Sequence, residues 1–371
     1  MIRILHTGDV HLDTPFSGLD PKLAAKRRDE LRQTFSSIVK YARNTAIDLF
    51  LIAGDLTDQR FATSETVRLV ADELATLKCP VVIAPGNHDP ADGRGIWSST
   101  DFSPNVHIFT EERVSRVSLD EIGTDVYGYA FTSPELTTSP LIGEFVHESD
   151  RINILLCHGD MASPVSKYAP ISKEQLAAFG ADYAALGHIH DPLLYGGIAG
   201  KCTYAYCGCP EGRDFGECGE LGAAIVEITQ DGSRKSVNVT HKRFCRRVYA
   251  DIRVPLAGAA SETEIVEAVR TAVAGLERDT VLRLTLTGII ADDAAVDPDR
   301  LTAALPEFYS VTTRDETTPS LAFAEGDMSI RGEYCRLLAP MLSSADEKER
   351  RTAVLALRMG LSALAGESAE I

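Results

Sequence analysis

Five short apolar runs set the pattern of the first half of the chain: Ile2 to Leu5, Leu49 to Ala53, Val81 to Ala84, Ile154 to Cys157 and Tyr183 to Leu186. They are rich in Ile, Val and Leu and alternate with helical patterns. This predicts an α/β fold, with strands buried on both faces between helices. Polar residues follow each run: Asp9-Val10-His11, Gly54-Asp55, Gly86-Asn87-His88-Asp89, His158-Gly159-Asp160 and Gly187-His188-Ile189-His190. In folds of this kind ligands bind beyond the carboxyl ends of the strands. All five polar stretches fall at such ends, so they are expected to converge, with Gly86 to Asp89 as the densest of them.

Between the runs, Asp20-Pro21 offers a capping residue and a proline at the first helical position, and Leu23, Leu31, Phe35, Ile38 and Val39 carry that helix to about Arg43. Val67, Val70, Leu74 and Leu77 share one face of a second helix, about 64–78, which Pro80 ends. The loop Pro90-Ala91-Asp92-Gly93-Arg94-Gly95 suits the rim of a site. Residues 105–132 read as short strands and 133–149 as loop, and Ser172-Lys173-Glu174-Gln175 reads as a capping box for a helix to Phe179. Past His190 the pattern is all strand: Thr203 to Tyr206, Ala223 to Thr229 and Ser236 to Thr240, with Gln230-Asp231-Gly232-Ser233 as a hairpin turn. These strands are expected to form a second sheet.

A change of pattern near 243–247 ends a larger domain, residues 1–244. Residues 245–330 read as β-α-β-α-β: a strand at 247–254, a helix opened by a capping box at Ser261 to Glu264, a strand at 281–286, a short helix near 297–305 and a strand near 309–313. Residues 331–371 read as helical. Val354, Leu357, Leu361 and Leu364 are spaced for one face, expected to pack on its own domain, with a partner's helices as the alternative.

The formal charge of −17 disfavours binding nucleic acid by a broad basic surface. A nucleic-acid substrate would have to be met locally, through metal or with a partner. No run of about 18 apolar residues predicts a membrane span. Met1 leads straight into an apolar run without a basic segment or small-residue cleavage site, so no secretory leader is expected and the compartment reads as cytoplasmic. The eight cysteines then read as reduced thiols. Cys207-Gly208-Cys209, with Cys218 beyond, is spaced more tightly than structural zinc ligands, and reads as small buried side chains.

Five of the nine histidines lie in the strand-end stretches. Together Asp9, His11, Asp55, Asn87, His158, His188 and His190 supply nitrogen and oxygen ligands enough for two divalent cations. Asp55 can bridge, one oxygen to each ion. Two cations about 3.5 to 4 Å apart polarise a phosphoryl oxygen and lower the pKa of a bridging water, which is chemistry suited to phosphate esters. His88, next to Asn87, points to another side, free to stabilise phosphoryl oxygens or protonate a leaving oxygen. The alternative is a histidine that merely orients a ligand. Imidazole and carboxylate without thiolate suit manganese, with iron or zinc as alternatives.

The ordered series Asp-x-His, Gly-Asp, Gly-Asn-His-Asp, His, Gly-His-x-His, over residues 9–190, resembles the calcineurin-like metallophosphoesterase superfamily. His6-Thr7-Gly8-Asp9-Val10-His11-Leu12-Asp13 with Pro15-Phe16, Gly54-Asp55-Leu56-Thr57-Asp58, and Gly187 to His190 resemble the SbcD-type DNA repair exonucleases. Pro210-Glu211-Gly212-Arg213 is similar to their YhaO-like branch. The resemblance implies a two-sheet sandwich flanked by helices and a small α+β capping domain. It implies one metal on Asp9, His11, Asp55 and His190, a second on Asp55, Asn87, His158 and His188, and His88 as the catalytic histidine. It also implies DNA as substrate and an SMC-like coiled-coil ATPase as partner, with a homodimer left open. Asp58 departs from relatives that carry a substrate-side histidine there.

Two other functions compete. One is a phosphatase or small-nucleotide phosphodiesterase on the same metal pair, although Gln59-Arg60 replaces the Arg-Gly expected of protein phosphatases. The other is a non-catalytic subunit of an ATPase complex, against which all seven proposed ligands are present.

Overall fold

The computed structural model describes residues 1–146, 150–191, 196–232, 234–291, 294 and 296–364. It divides into two compact units, Met1–Val248 and Tyr249–Ile371. The first begins with β1 (Ile2–Thr7), α1 (Pro21–Asn44), β2 (Leu49–Ile52), α2 (Ser64–Ala75), β3 (Val81–Ile83), α3 (Ile96–Ser99), β4 (Val106–Ile108), β5 (Ser115–Leu119) and β6 (Thr124–Gly128). It continues with β7 (Ile152–His158), α4 (Lys173–Phe179), β8 (Tyr183–Gly187), β9 (Gly196–Ala199), β10 (Cys202–Tyr206), β11 (Gly222–Asp231) and β12 (Arg234–Arg243).

The strands form two six-stranded sheets, in the orders β12-β11-β1-β2-β3-β4 and β5-β6-β7-β8-β10-β9. Their apolar runs are continuous because both faces of each sheet are covered. Ile2, Ile4, Leu49, Leu51 and Val82 meet Val126, Ile154, Leu156 and Ala185 between the sheets. The alternate residues Leu5, Phe50, Ile52, Val81 and Ile83 face Leu31, Phe35, Ile38 and Val39 of α1 and Val70 and Leu74 of α2. On the far side Leu155, Cys157, Ala184 and Leu186 pack under Leu176 and Phe179 of α4. The result is a two-sheet sandwich flanked by helices. The caps act as their sequences suggest: Asp20 accepts from the Lys22 amide ahead of Pro21, and Ser172 and Gln175 close a reciprocal box.

One expectation needs correction. The strands after His190 do not form a sheet of their own. β10 runs parallel beside β8, whereas β11 and β12 add antiparallel to β1 in the other sheet. A strand's own pattern reports which faces are buried, not which neighbour it bonds. β9 escaped notice because Gly196-Gly197-Ile198 is exposed and glycine-rich, with little strand propensity. Ser233 of the expected hairpin turn lies outside the described residues.

The second unit contains β13 (Tyr249–Pro255), α5 (Glu262–Val273), β14 (Val281–Ile290), α6 (Pro298–Ala304) and β15 (Ser310–Pro319), then α7 (Ile330–Leu342) and α8 (Glu347–Leu364). The three strands are all parallel, in the order β13-β14-β15, over a core of Val254, Ile265, Val269, Leu282, Leu284, Leu286 and Leu301. Ser261 caps α5, but the Glu264 carboxylate accepts from the Ala260 amide, 2.9 Å, so the expected box closes one residue early. In the helical pair Leu357 is buried against Cys335 and Ala324 and Leu361 packs beside it, whereas Leu364 at 46% exposure lies off the contact. Gly360 admits the Tyr334 ring, whose hydroxyl donates to the Ala356 carbonyl at 2.5 Å. No helix among the described residues is long and apolar enough to cross a membrane.

Candidate metal centre

The strand ends of the first unit are held together by backbone before any side chain meets. Beyond β1 the Asp9 amide donates to the Gly54 carbonyl at 3.0 Å and the His11 amide to the Asp55 carbonyl at 2.9 Å. These bonds keep Asp9, His11 and Asp55 at φ 49°, a left-handed conformation that costs a non-glycine residue about 1–3 kcal/mol. Asp89 secures the next loop. Its Oδ1 accepts from Gly86, 2.8 Å, and Asp55, 3.1 Å, and its Oδ2 from Leu56, 2.7 Å, and Thr57, 3.2 Å. Gly187 lets β8 approach this cluster, since a Cβ there would overlap the Ala53 carbonyl oxygen.

Three groups then converge on the Asp55 carboxylate. Its Oδ1 accepts from the His88 amide at 2.8 Å, which leaves Oδ2 3.4 Å from His158 Nε2 and 3.7 Å from His11 Nε2. A single carboxylate oxygen thus lies between two imidazoles, rather than one oxygen on each side as the sequence suggested. Asp9 Oδ1 stands 3.7 Å from His190 Nε2, and the Asp9 carboxylate accepts from the His188 amide at 3.0 Å. Two donor groups result, Asp9 with His11 and His190, and Asp9 with Asp55 and His158. Asn87 joins the latter, its Oδ1 2.9 Å from His158 Nε2. His188 meets the cluster through its ring, 5.2 Å from that of His158 and 5.0 Å from Tyr168, and is in neither donor group.

The outer ring nitrogens decide what the inner ones can do. His11 Nδ1 donates to Asp58 Oδ1 at 2.9 Å, His190 Nδ1 to Glu217 Oε1 at 2.7 Å and His158 Nδ1 to the Ala53 carbonyl at 2.9 Å. With those protons spent outward, the Nε2 atoms face inward as lone pairs. His11 Nε2 and His190 Nε2 lie 3.4 Å apart, and His158 Nε2 faces the Asn87 oxygen. Lone pair opposite lone pair is repulsive unless a cation sits among them, so the residues present fit a divalent metal pair. Carboxylate, amide oxygen and imidazole without thiolate fit manganese, iron or zinc.

The charges agree. Burial pushes the Asp55 carboxyl up, but the facing His158, His11 and His88 outweigh it and hold it below the usual carboxylate range. Burial, then the neighbouring His158, lowers His188 to about 4, which keeps its ring neutral at pH 7. His88 is different, with a side chain 51% exposed and Nδ1 2.9 Å from Asp58 Oδ1. That hydrogen bond outweighs partial burial and raises its pKa. Asp58 also accepts from the Thr14 hydroxyl at 2.7 Å, so one carboxylate serves both His11 and His88.

Three contributors escaped the sequence reading: Asp58 as a partner of two histidines, Asp89 as a backbone clamp, and Glu217. Asp58 and Asp89 stood beside residues already singled out. Glu217, 27 residues beyond His190, gave no signal at all. All eight cysteines are free thiols. Cys207 and Cys209 are buried as expected, whereas Cys218 is exposed. Among the described residues Cys207 and Cys218 join no donor group, and Cys209 joins one with His190 and Glu217.

Residues 2–192 match the model of the calcineurin-like phosphoesterase family, and the chain belongs to that family. It is 25% identical over 264 residues to the uncharacterized metallophosphoesterase YhaO of Bacillus subtilis, covering 68% of this chain and 63% of that one. It is 26% identical over 262 residues to the DNA double-strand break repair protein Mre11 of Aeropyrum pernix, covering 62% and 59%. It is 24% identical over 288 residues to a subunit of the nuclease SbcCD of Escherichia coli, covering 64% and 67%. The chain therefore spans less than two thirds of the length of the first two.

Proposed function

We propose that this chain hydrolyses DNA phosphodiester bonds, as the exonuclease subunit of a repair complex. The observation that carries the hydrolytic part is the set of inward-facing Nε2 atoms around Asp55 Oδ2, with the exposed His88 beside it. Asp9, His11, Asp55 and His190 would hold one divalent cation, and Asp55, Asn87, His158 and His188 the other. Manganese is the expected metal. Bound there, the pair supplies Lewis-acid polarisation of a phosphoryl oxygen and a nucleophile at neutral pH. His88, its Nδ1 anchored on Asp58, places its charge or proton against the phosphoryl or leaving oxygen.

DNA as substrate is supported by the two relatives whose names specify double-strand break repair and a nuclease. A subunit name likewise supports a partner, expected to be an SMC-like coiled-coil ATPase. Residues 245–330 would serve as the capping domain, residues 331–371 as the helical segment facing that partner, and the cytoplasm as the compartment. The deciding test is manganese-dependent hydrolysis of linear duplex and single-stranded DNA beside bis-p-nitrophenyl phosphate, with Asp55→Ala as the blank. DNA degradation absent from the blank supports the proposal. Cleavage of the small diester alone moves the assignment to small nucleotides.

A further inference from the structure

The segment after β10 supplies none of the proposed metal ligands, yet it holds one of them, His190, at both its backbone carbonyl and its Nδ1. We infer that Glu217, locked by Arg213, is the positioning residue that gives the Asp9, His11 and His190 half of the centre its hold on a cation. This rests on the metal-site reading above.

Glu217 is nearly buried, with a side chain 8% exposed, and its Oε1 lies 2.7 Å from His190 Nδ1. Arg213 fixes that carboxylate from two directions. Its backbone amide donates to Oε2 at 2.7 Å, and its Nε and Nη2 reach the carboxylate at 3.2 and 2.5 Å. Arg213 Nη2 also lies 3.0 Å from His190 Nδ1. Both nitrogens carry protons when Nδ1 donates to Glu217, so this approach follows from their sharing Oε1.

The segment is pinned upstream as well. The Cys209 amide donates to the His190 carbonyl at 3.0 Å, and Arg27 Nη2 to the Gly212 carbonyl at 2.7 Å. Glu217 is therefore set in place before any cation arrives. An anionic acceptor on Nδ1–H fixes the tautomer that offers Nε2 inward and raises the basicity of that nitrogen. Cys209, His190 and Glu217 also form a donor group of their own. The Arg213 guanidinium occupies the place beside Glu217 and His190 where another cation would sit, so the group serves His190 instead.

The test titrates manganese alone into the metal-stripped full chain, with calorimetric affinities and a count of bound ions by electron paramagnetic resonance. The wild type should bind two ions. Glu217→Gln, which keeps the side-chain volume, should weaken one of them by about 10- to 100-fold and leave the other unchanged. Arg213→Gln should act in the same direction with smaller size. Two wild-type affinities in Glu217→Gln would overturn the inference alone, as would equal weakening of both sites, the mark of a merely structural role. Fewer than two ions on the wild type would overturn the metal-site reading and the inference with it.

Discussion

The two halves of the centre are built from the same residue types but backed by different groups. On one side His11 and His190 rest on the carboxylates of Asp58 and Glu217. On the other, His158 rests on the neutral Ala53 carbonyl, and His188 lies beside the ring of Tyr168 with the Asp160 carboxylate no nearer than 4.0 Å to its Nε2, beyond hydrogen-bond reach. A carboxylate on Nδ1–H makes the opposite nitrogen more basic than a carbonyl does. The carboxylate-backed half should therefore hold its cation more tightly, and the carbonyl-backed half should lose its own first on chelation. Burial sharpens the contrast. It pushes the Glu217 carboxyl up, but the hydrogen bonds from His190 and Arg213 outweigh it and keep the group well below its usual range.

The largest effect should come from removing what the halves share. Asp55→Ala takes away the oxygen between His11 and His158, so both ions and all turnover should be lost. Retention of one tight ion, counted by metal analysis, would show that the halves are independent. Next comes His88→Ala, which removes no proposed ligand, although the ring lies 4.7 Å from that of His11. Both ions should stay while kcat falls on the order of 10²- to 10⁴-fold; a near-normal rate in steady-state assays would remove His88 from the chemistry. Asp58→Asn should act on the carboxylate-backed half alone, weakening one ion by about 10- to 100-fold in calorimetry. It also frees the His88 ring, so kcat should drop in the same variant.

The smallest effect tests an imidazole outside the comparison. His6 lies in β1 three residues before Asp9, fully buried, with Nδ1 2.8 Å from the Tyr183 hydroxyl. Burial lowers its pKa from 6.5 to about 3, so the folded chain keeps it neutral. Below pH 6.5 the unfolded chain takes up a proton that the folded chain refuses. Its stabilising contribution is thus complete above about pH 6.5. It is lost as pH falls toward 3, at up to about 1.4 kcal/mol per unit. His6→Gln should flatten that slope in urea melts at pH 5 and 7 without changing manganese affinity. An unchanged slope would assign the acid sensitivity to the centre itself.

Much of the first unit was legible because its signals are local. An apolar run such as Val81 to Ala84 carries its strand in its own residues, and Asp20-Pro21 carries the start of α1. The glycines beside Asp55 and His188 marked the turns. Less legible were features that depend on partners far along the chain. Nothing in Gly196 to Ala199 distinguishes an edge strand from a loop until β10 lies beside it. Glu217 is an ordinary acid until a turn brings it to His190.

By itself the sequence determined which residue types stand at the strand ends, because strand periodicity and turn chemistry act over a few residues. It also determined the family, since that ordered series of residues is specific. Only the tertiary structure decided that β1, β2 and β3 bring their ends to those of β7 and β8 from a different sheet. It alone decided which carboxylate or carbonyl each Nδ1 would meet. The reason is range: a hydrogen bond acts within about 3 Å, and residues 27 to 179 positions apart reach that distance only once both sheets have packed.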